Sequence, residues 1–167
     1  MKRIALAVLL FTCAHGAIAQ DAPSVERPPG YDHLQHFVGR WTEQGNEKTF
    51  LEVCAWFDGK FHVVCNAERK RPDGSVGRSL SILSYVPDQG YVHVGIGSKG
   101  SYETLQHGTF REGIFEFLST AKEGDKSIVT RIRIGPFAEH GFPFVVDTST
   151  DGGPWVAAGA IDYVKLK

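Results

Sequence analysis

The sequence predicts an all-β protein: about ten antiparallel strands in a meander that closes into a barrel, entered through one short helix. Three features of the chain predict it. Turn signals recur at Asp58-Gly59, Pro72-Asp73-Gly74, Pro87 to Gly90, Lys99-Gly100, Glu112-Gly113, Glu123-Gly124-Asp125 and Asp151-Gly152-Gly153. The runs between them are rich in Val, Ile, Phe, Tyr and Thr, which suit a pleated, half-buried surface. No long helical pattern is available to cover an open sheet, so a meander of this size must close on itself or fold into two sheets to protect its edges.

The elements follow in order. The chain opens MKRIALAVLLFTCAHGAIAQ, with Lys2 and Arg3 ahead of an unbroken apolar run from Ile4 to Phe11 and a small-residue site at Ala17-Ile18-Ala19. This is the pattern of a secretory signal peptide spanning residues 1–19 and cleaved after Ala19; the apolar run is too short for a stable membrane span. Lipoprotein processing at Cys13 fits less well, because Phe11 and Thr12 stand where small residues are needed. The expected location is periplasmic or secreted. Residues 20–30 (QDAPSVERPPG) are rich in proline and charge and read as a flexible leader. In residues 31–38, Leu34, Phe37 and Val38 fall at helical spacing ahead of Gly39, predicting a short helix. Strands are expected near 40–45, 48–57, 61–70, 76–86, 91–97, 102–110, 113–120, 127–134, 143–149 and 155–165, within one domain covering residues 31–167.

Charge narrows the function. The whole chain carries 19 Asp and Glu against 18 Lys and Arg, two of which leave with the signal peptide. The charges are interspersed and form no basic stripe, which argues against nucleic acid as a partner. No second long apolar segment suggests a transmembrane helix. Eleven Phe, five Tyr and three Trp supply the filling for a large interior.

The stretch EVCAWFDGKFHVVCNAE, residues 52–68, reads as a hairpin. A two-residue turn pairs Phe57 with Lys60; a four-residue loop pairs Phe57 with His62. Either way one face carries Leu51, Val53, Ala55 and Phe57 with His62, Val64, Asn66 and Glu68. The other carries Phe50, Glu52, Cys54 and Trp56 with Phe61, Val63, Cys65 and Ala67. The cysteines share a face, as diagonal neighbours in the first register and directly opposed in the second. They are the only two left after signal cleavage, and an even pair in an exported chain predicts a disulfide between Cys54 and Cys65. A redox site would want a close-spaced Cys-x-x-Cys at a helix start, and a zinc site would need two more ligands.

No nucleophile elbow, phosphate loop or metalloprotease helix is present, so no catalytic residue is assigned. The glycines of Gly95 to Gly100 open no helix and read as a turn. His33 and His36, at i and i+3, read as polar residues on an amphipathic helix rather than a metal clamp. His62, His93 and His107 lie in strands, and His140 in a late loop. The most suggestive polar set is His62, Asn66 and Glu68, whose face also carries Phe57 and Val64. With that face inside, these residues and His93 become the expected ligand-binding set, polar fixtures in an apolar cavity.

Gly39-Arg40-Trp41, directly after the short helix, is similar to the Gly-x-Trp start of the lipocalin-like (calycin) barrels. The Asp151-Gly152-Gly153-Pro154-Trp155 turn and a last strand ending in Lys165 add to the likeness. Together they resemble a family of uncharacterised secreted bacterial lipocalin-like proteins, over residues 31–167. The resemblance implies a barrel with an interior cavity and no assigned reaction, Gly39 and Trp41 forming its floor. It also implies a basic residue across that tryptophan, for which Lys165 and Arg131 are both candidates. More distantly the chain resembles the haem-binding nitrobindins, but only His140 lies as late as their haem ligand, so no cofactor is assigned and haem is the outside reading. The expectation is an exported barrel holding a small, largely apolar molecule. Its alternatives are an enzyme using Glu68 and His62 inside the barrel, and an envelope structural or assembly protein. The sequence leaves the oligomeric state open.

Overall fold

The computed structural model describes residues 27–167. The expected signal peptide, its cleavage point and residues 20–26 of the leader lie outside the described residues. A 3₁₀ segment at Pro29–Phe37 precedes ten strands: β1 Gly39–Glu43, β2 Phe50–Trp56, β3 His62–Lys70, β4 Val76–Val86, β5 Gly90–Gly97, β6 Tyr102–Arg111, β7 Ile114–Glu123, β8 Lys126–Ile134, β9 Gly141–Thr150 and β10 Val156–Lys165. Each strand pairs antiparallel with its sequence neighbours, and β1 pairs with β10 at Trp41↔Lys165, closing the barrel. All ten expected strands are present. No helix among the described residues is long and apolar enough to cross a membrane.

The expected short helix is a 3₁₀ segment at Pro29–Phe37. Its buried side chains are Tyr31, Leu34 and Phe37, a spacing of three and three. That repeat matches the three residues per turn of a 3₁₀ helix, whose i and i+3 side chains eclipse. Val38, predicted to belong to the helix, is extended and donates its N–H to the Gln35 carbonyl at 3.1 Å.

The segment plugs one end of the barrel. Tyr31 meets Phe61 and Tyr85 edge-on at 5.2 and 5.4 Å, and Phe37 meets Phe115 at 4.9 Å. Three barrel side chains tie it down by hydrogen bonds. The Trp41 indole donates to the Phe37 carbonyl (2.7 Å), Trp56 to Gln35 Oε1 (2.7 Å), and the Tyr91 hydroxyl to the Gly30 carbonyl (3.0 Å). Towards the opposite rim the inward positions become small. Ser119 and Ala121 continue the face of buried Phe117 on β7, and Ser79 and Gly97 oppose each other across β4 and β5. Aromatic bulk fills one end of the barrel; the other carries little to fill it.

The β2–β3 hairpin uses the four-residue loop: the Phe57 N–H donates to the His62 carbonyl at 2.8 Å, and Cys54 stands directly opposite Cys65. Its faces are the reverse of the expectation. Phe50, Cys54, Val63, Cys65 and Ala67 are buried, so the cysteine face looks inward. His62, Asn66 and Glu68 are exposed on the outer wall, and Phe57 is 60% exposed. Both faces are largely apolar, so alternation alone does not choose between them. The decision comes from β1, where Trp41 pairs with Glu52 and Gly39 with Cys54, putting those residues on the face of the floor tryptophan.

Candidate functional site

The inward face of β2 and β3 meets β1, β4, β5 and the last three strands around a small cavity. Its volume is about 100 Å³, and it is lined by Phe37, Trp41, Glu52, Cys54, Cys65, Ser81, Leu83, His93, Ile134, Phe142, Phe144 and Tyr163. This is below the ~150 Å³ of an apolar cavity that admits benzene. It is well below the roughly 300–1,000 Å³ typical of drug-sized sites. The cavity is not sealed from the rim. Ser81 and His93 also line a second depression of about 290 Å³, reached through Ser79, Gly95, Gly97 and Ser101.

Trp41 forms the floor. Its indole is held by the Phe37 carbonyl and meets Phe142 edge-on at 4.9 Å. Lys165, its partner across β1 and β10, brings Nζ to 5.5 Å from the ring centre. Arg131, the other candidate, lies on the outer wall and stacks 4.2 Å from the centre of Trp155.

The polar residues of the cavity lie on three strands. Glu52 of β2 faces in beside Glu43 and Tyr163. Glu43 is 4% exposed and already satisfied, ion-paired with Arg69 and accepting a hydrogen bond from Asn46 Nδ2 at 3.0 Å. Glu52 has no such cation among the described residues. Burial, and then the neighbouring Glu43 charge, push its carboxyl up to about 7. Glu52 lines the cavity, and its burial leaves the charged form poorly solvated. Tyr163, stacked on Phe142 at 5.0 Å, is pushed up by burial and then by the same two carboxylates.

His93 lines the cavity from β5. Its Nδ1 is buried without a hydrogen-bond partner among the described residues, and burial holds its pKa below the ordinary value. Gly95 leaves room for the ring: a Cβ there would stand 3.3 Å from His93 Cε1. A buried ring nitrogen without a partner costs free energy, and a ligand hydrogen bond would recover it.

Cys54 and Cys65 lie at disulfide-bonding distance on the cavity wall. Donor atoms of Glu52, Cys54 and Cys65 fall within 4.8 Å of one another, as a metal site would need. With the two sulfurs bonded to each other, only the carboxylate remains to ligate.

Of the residues the sequence singled out for ligand binding, only His93 reaches the cavity. His62 hydrogen-bonds Ser84 Oγ through Nδ1 at 2.6 Å, and Glu68 pairs with Arg78 at 2.7 Å, both on the outside. Asn66 lies opposite Leu80 on the same outer face, and Val64, half-buried, lies opposite Ile82. Glu68 and His62 therefore cannot act together inside the barrel. Gly39 opens β1, and Trp41 is buried and lines the cavity. His33 and His36 stack on Phe110 and Phe137 at 4.2 and 4.7 Å, and His140 is an exposed residue before β9. Sequence reasoning passed over Glu52, a lone carboxylate between Leu51 and Val53. The one available signal was that it shares a face with Cys54 and Trp56.

Compared with known proteins, the chain matches no family model and no curated protein. The functional reading therefore stands on the geometry of the interior.

Proposed function

We propose that this chain is an exported, lipocalin-like barrel that binds a small, largely apolar molecule in its interior. The observation that supports it is the cavity above Trp41. Eight apolar or disulfide side chains surround four polar ones, Glu52, Ser81, His93 and Tyr163, the mixture ligand sites use to combine affinity with orientation. Near neutral pH Glu52 can donate as an acid or accept as a carboxylate, and His93 Nδ1 offers a second open position. The volume favours a slender ligand over a haem-sized one. The Lys165–Trp41 contact supports the lipocalin-like reading, and the cysteine pair supports an oxidising compartment.

The test is a series of straight-chain alcohols from propan-1-ol to decan-1-ol, followed by thermal denaturation and tryptophan fluorescence. Each methylene that enters the barrel adds about 0.8 kcal/mol, roughly a fourfold gain in affinity. A ligand at 100 times its dissociation constant adds about 2.7 kcal/mol of stability. Affinity that rises along the series, and falls in Trp41→Ala, is expected. No stabilisation by any member would refute the proposal.

One observation favours an enzymatic reading as the second. A carboxyl raised to about 7 is poised for proton transfer at neutral pH. On that reading the acid or base is Glu52, and Glu52→Gln would abolish turnover of a substrate while leaving its binding intact.

A further inference from the structure

We infer that the open rim beside the cavity binds the anionic group of an amphiphilic ligand, with Arg71 and Lys99 as its counter-charges and the inner wall of β4 and β5 as the path for its apolar part. The inference rests on the binding-barrel reading and names the class of ligand.

Two depressions of about 380 and 350 Å³ meet at Arg69 and Arg71. Arg69, Lys70, Arg71, Arg78 and Lys99 line them, and no carboxylate does among the described residues. Two of these cations are already engaged, Arg69 by Glu43 and Arg78 by Glu68. Arg71 and Lys99 have no carboxylate partner among the described residues. Asp73, in the same turn as Arg71, accepts the Ser75 N–H at 2.9 Å, and its ionised form is favoured chiefly by Ser75 and to a lesser degree by Arg71.

The Arg71 side chain is folded onto the wall. Its Nη1 donates to Ser75 Oγ at 3.2 Å, and a Cβ at Gly77 would stand 2.6 Å from Nη2. Gly77 pairs with Arg69 on the inward face, so its missing side chain lets the guanidinium lie over the inner lip of the barrel. Ser79, Ser98 and Ser101 add hydroxyls to the same depression. Guanidinium forks and hydroxyl donors are the groups that recognise carboxylates, sulfates and phosphates.

From Gly77 the inward positions of β4 run through Ser79 to Ser81, a distance of roughly 13 Å along the strand. Gly97 and Gly95 oppose them on β5. An alkyl chain of medium length spans that path and ends in the cavity. Its orientation follows from charge. Glu103, opposite Gly95, and Glu52, in the cavity, are the acidic residues on the deeper part of the route. Glu103 disfavours an anionic group on that part of the route, and Glu52 does so when ionised, while the rim attracts one.

The experiment compares decanoate, decan-1-ol and acetate by calorimetric titration at low and high salt, with the intact protein and with Arg71→Ala/Lys99→Ala. Decanoate should bind about 10- to 100-fold tighter than the alcohol, the gap should narrow as salt rises, and acetate should bind far more weakly than decanoate. The double variant, altered only at the surface, should bring decanoate down to the affinity of decan-1-ol and leave the alcohol unchanged. Equal binding of acid and alcohol, or an anion preference that survives the double variant, would overturn the rim site and leave the barrel reading standing. Acetate binding as tightly as decanoate would overturn the inner-wall path. Binding of neither long-chain ligand would overturn both the rim site and the barrel reading.

Discussion

Lys165 holds its Nζ 5.5 Å from the centre of the Trp41 ring, at the register pair where β10 closes onto β1. The contact joins the two ends of the barrel sequence over its floor, so it reports on closure itself. A cation over a tryptophan is worth about 0.5–2 kcal/mol according to its desolvation. Lys165→Ala is expected to lower stability by about 1 kcal/mol. Trp41→Ala, which also empties a well-packed site, should cost about 3–5 kcal/mol. Urea denaturation of both variants and the double variant measures the coupling; strict additivity would show that the contact contributes nothing.

The Cys54–Cys65 bridge closes a short loop, with the two cysteines 11 residues apart. Chain-entropy arithmetic for such a loop gives about 3 kcal/mol. Denaturation midpoints with and without reductant should differ by that order, and Cys54→Ser/Cys65→Ser should no longer respond to reductant. Thiol titration of the denatured, unreduced protein checks the bridge directly: two free thiols would contradict it.

Glu52 and His93 give stability opposite dependences on pH. The Glu52 carboxyl is raised from 4.5 to about 7 on folding, so between those values the native state holds the proton more tightly than the unfolded chain. Stability should therefore fall as pH rises from about 4.5 to about 7, by up to about 3 kcal/mol. His93 is lowered by burial; its contribution is lost as pH drops below the ordinary histidine value. Glu52→Gln should abolish the first slope and His93→Gln weaken the second, read from denaturation midpoints between pH 4 and 8. A stability curve unchanged by Glu52→Gln would show that this carboxylate is not the buried acid.

Asp147 lies between two arginines on the outer wall, accepting Arg131 at 3.0 Å and Arg133 at 2.9 Å. Burial raises its pKa, but the hydrogen bonds and charges of the two guanidinium groups outweigh it and hold the group low. Its stabilisation is therefore present above the ordinary aspartate value and is lost as pH falls through the lowered one. Asp147→Asn should lower the melting temperature at pH 7, and the difference from the parent should shrink in acid. An equal deficit at pH 7 and at pH 2–3 would assign the effect to packing instead.

The two faces of the β2–β3 hairpin should differ in what they tolerate. Phe57→Ser, at a position 60% exposed, should change stability by no more than about 0.5 kcal/mol. Phe50→Ala, at a position 7% exposed on the inner face of β2, should cost about 3–5 kcal/mol. Glu68→Gln should leave alcohol binding unchanged, whereas Glu52→Gln should alter it. The reverse pattern in the same titrations would return the site to the outer face.

The number and order of strands were legible because turns are local. Every Asp-Gly or Glu-Gly step in the chain ends a strand, at Asp58, Asp73, Glu112, Glu123 and Asp151, and the other glycine turns at Gly90 and Gly100 do the same between β4, β5 and β6. The placing of Cys54 and Cys65 on one face was legible for the same reason, because a single hairpin turn sets it. Alternation along a strand, however, assigns residues to two faces without saying which is inside. In the hairpin both faces are apolar, so Val53, Ala55 and Phe57 were as plausible a core as Phe50, Cys54 and Trp56. Only closure against β1 and β10 put Trp41 and Tyr163 beside Glu52, buried that carboxyl and left His62, Asn66 and Glu68 outside. The choice of Lys165 over Arg131 was settled in the same way, by the register across the closing pair. Strands, turns and the crosslink depend on neighbours in the chain, so they can be read along it. Tertiary structure decided the inner face, the cavity and the charges around it, because burial belongs to the closed barrel and not to any one strand.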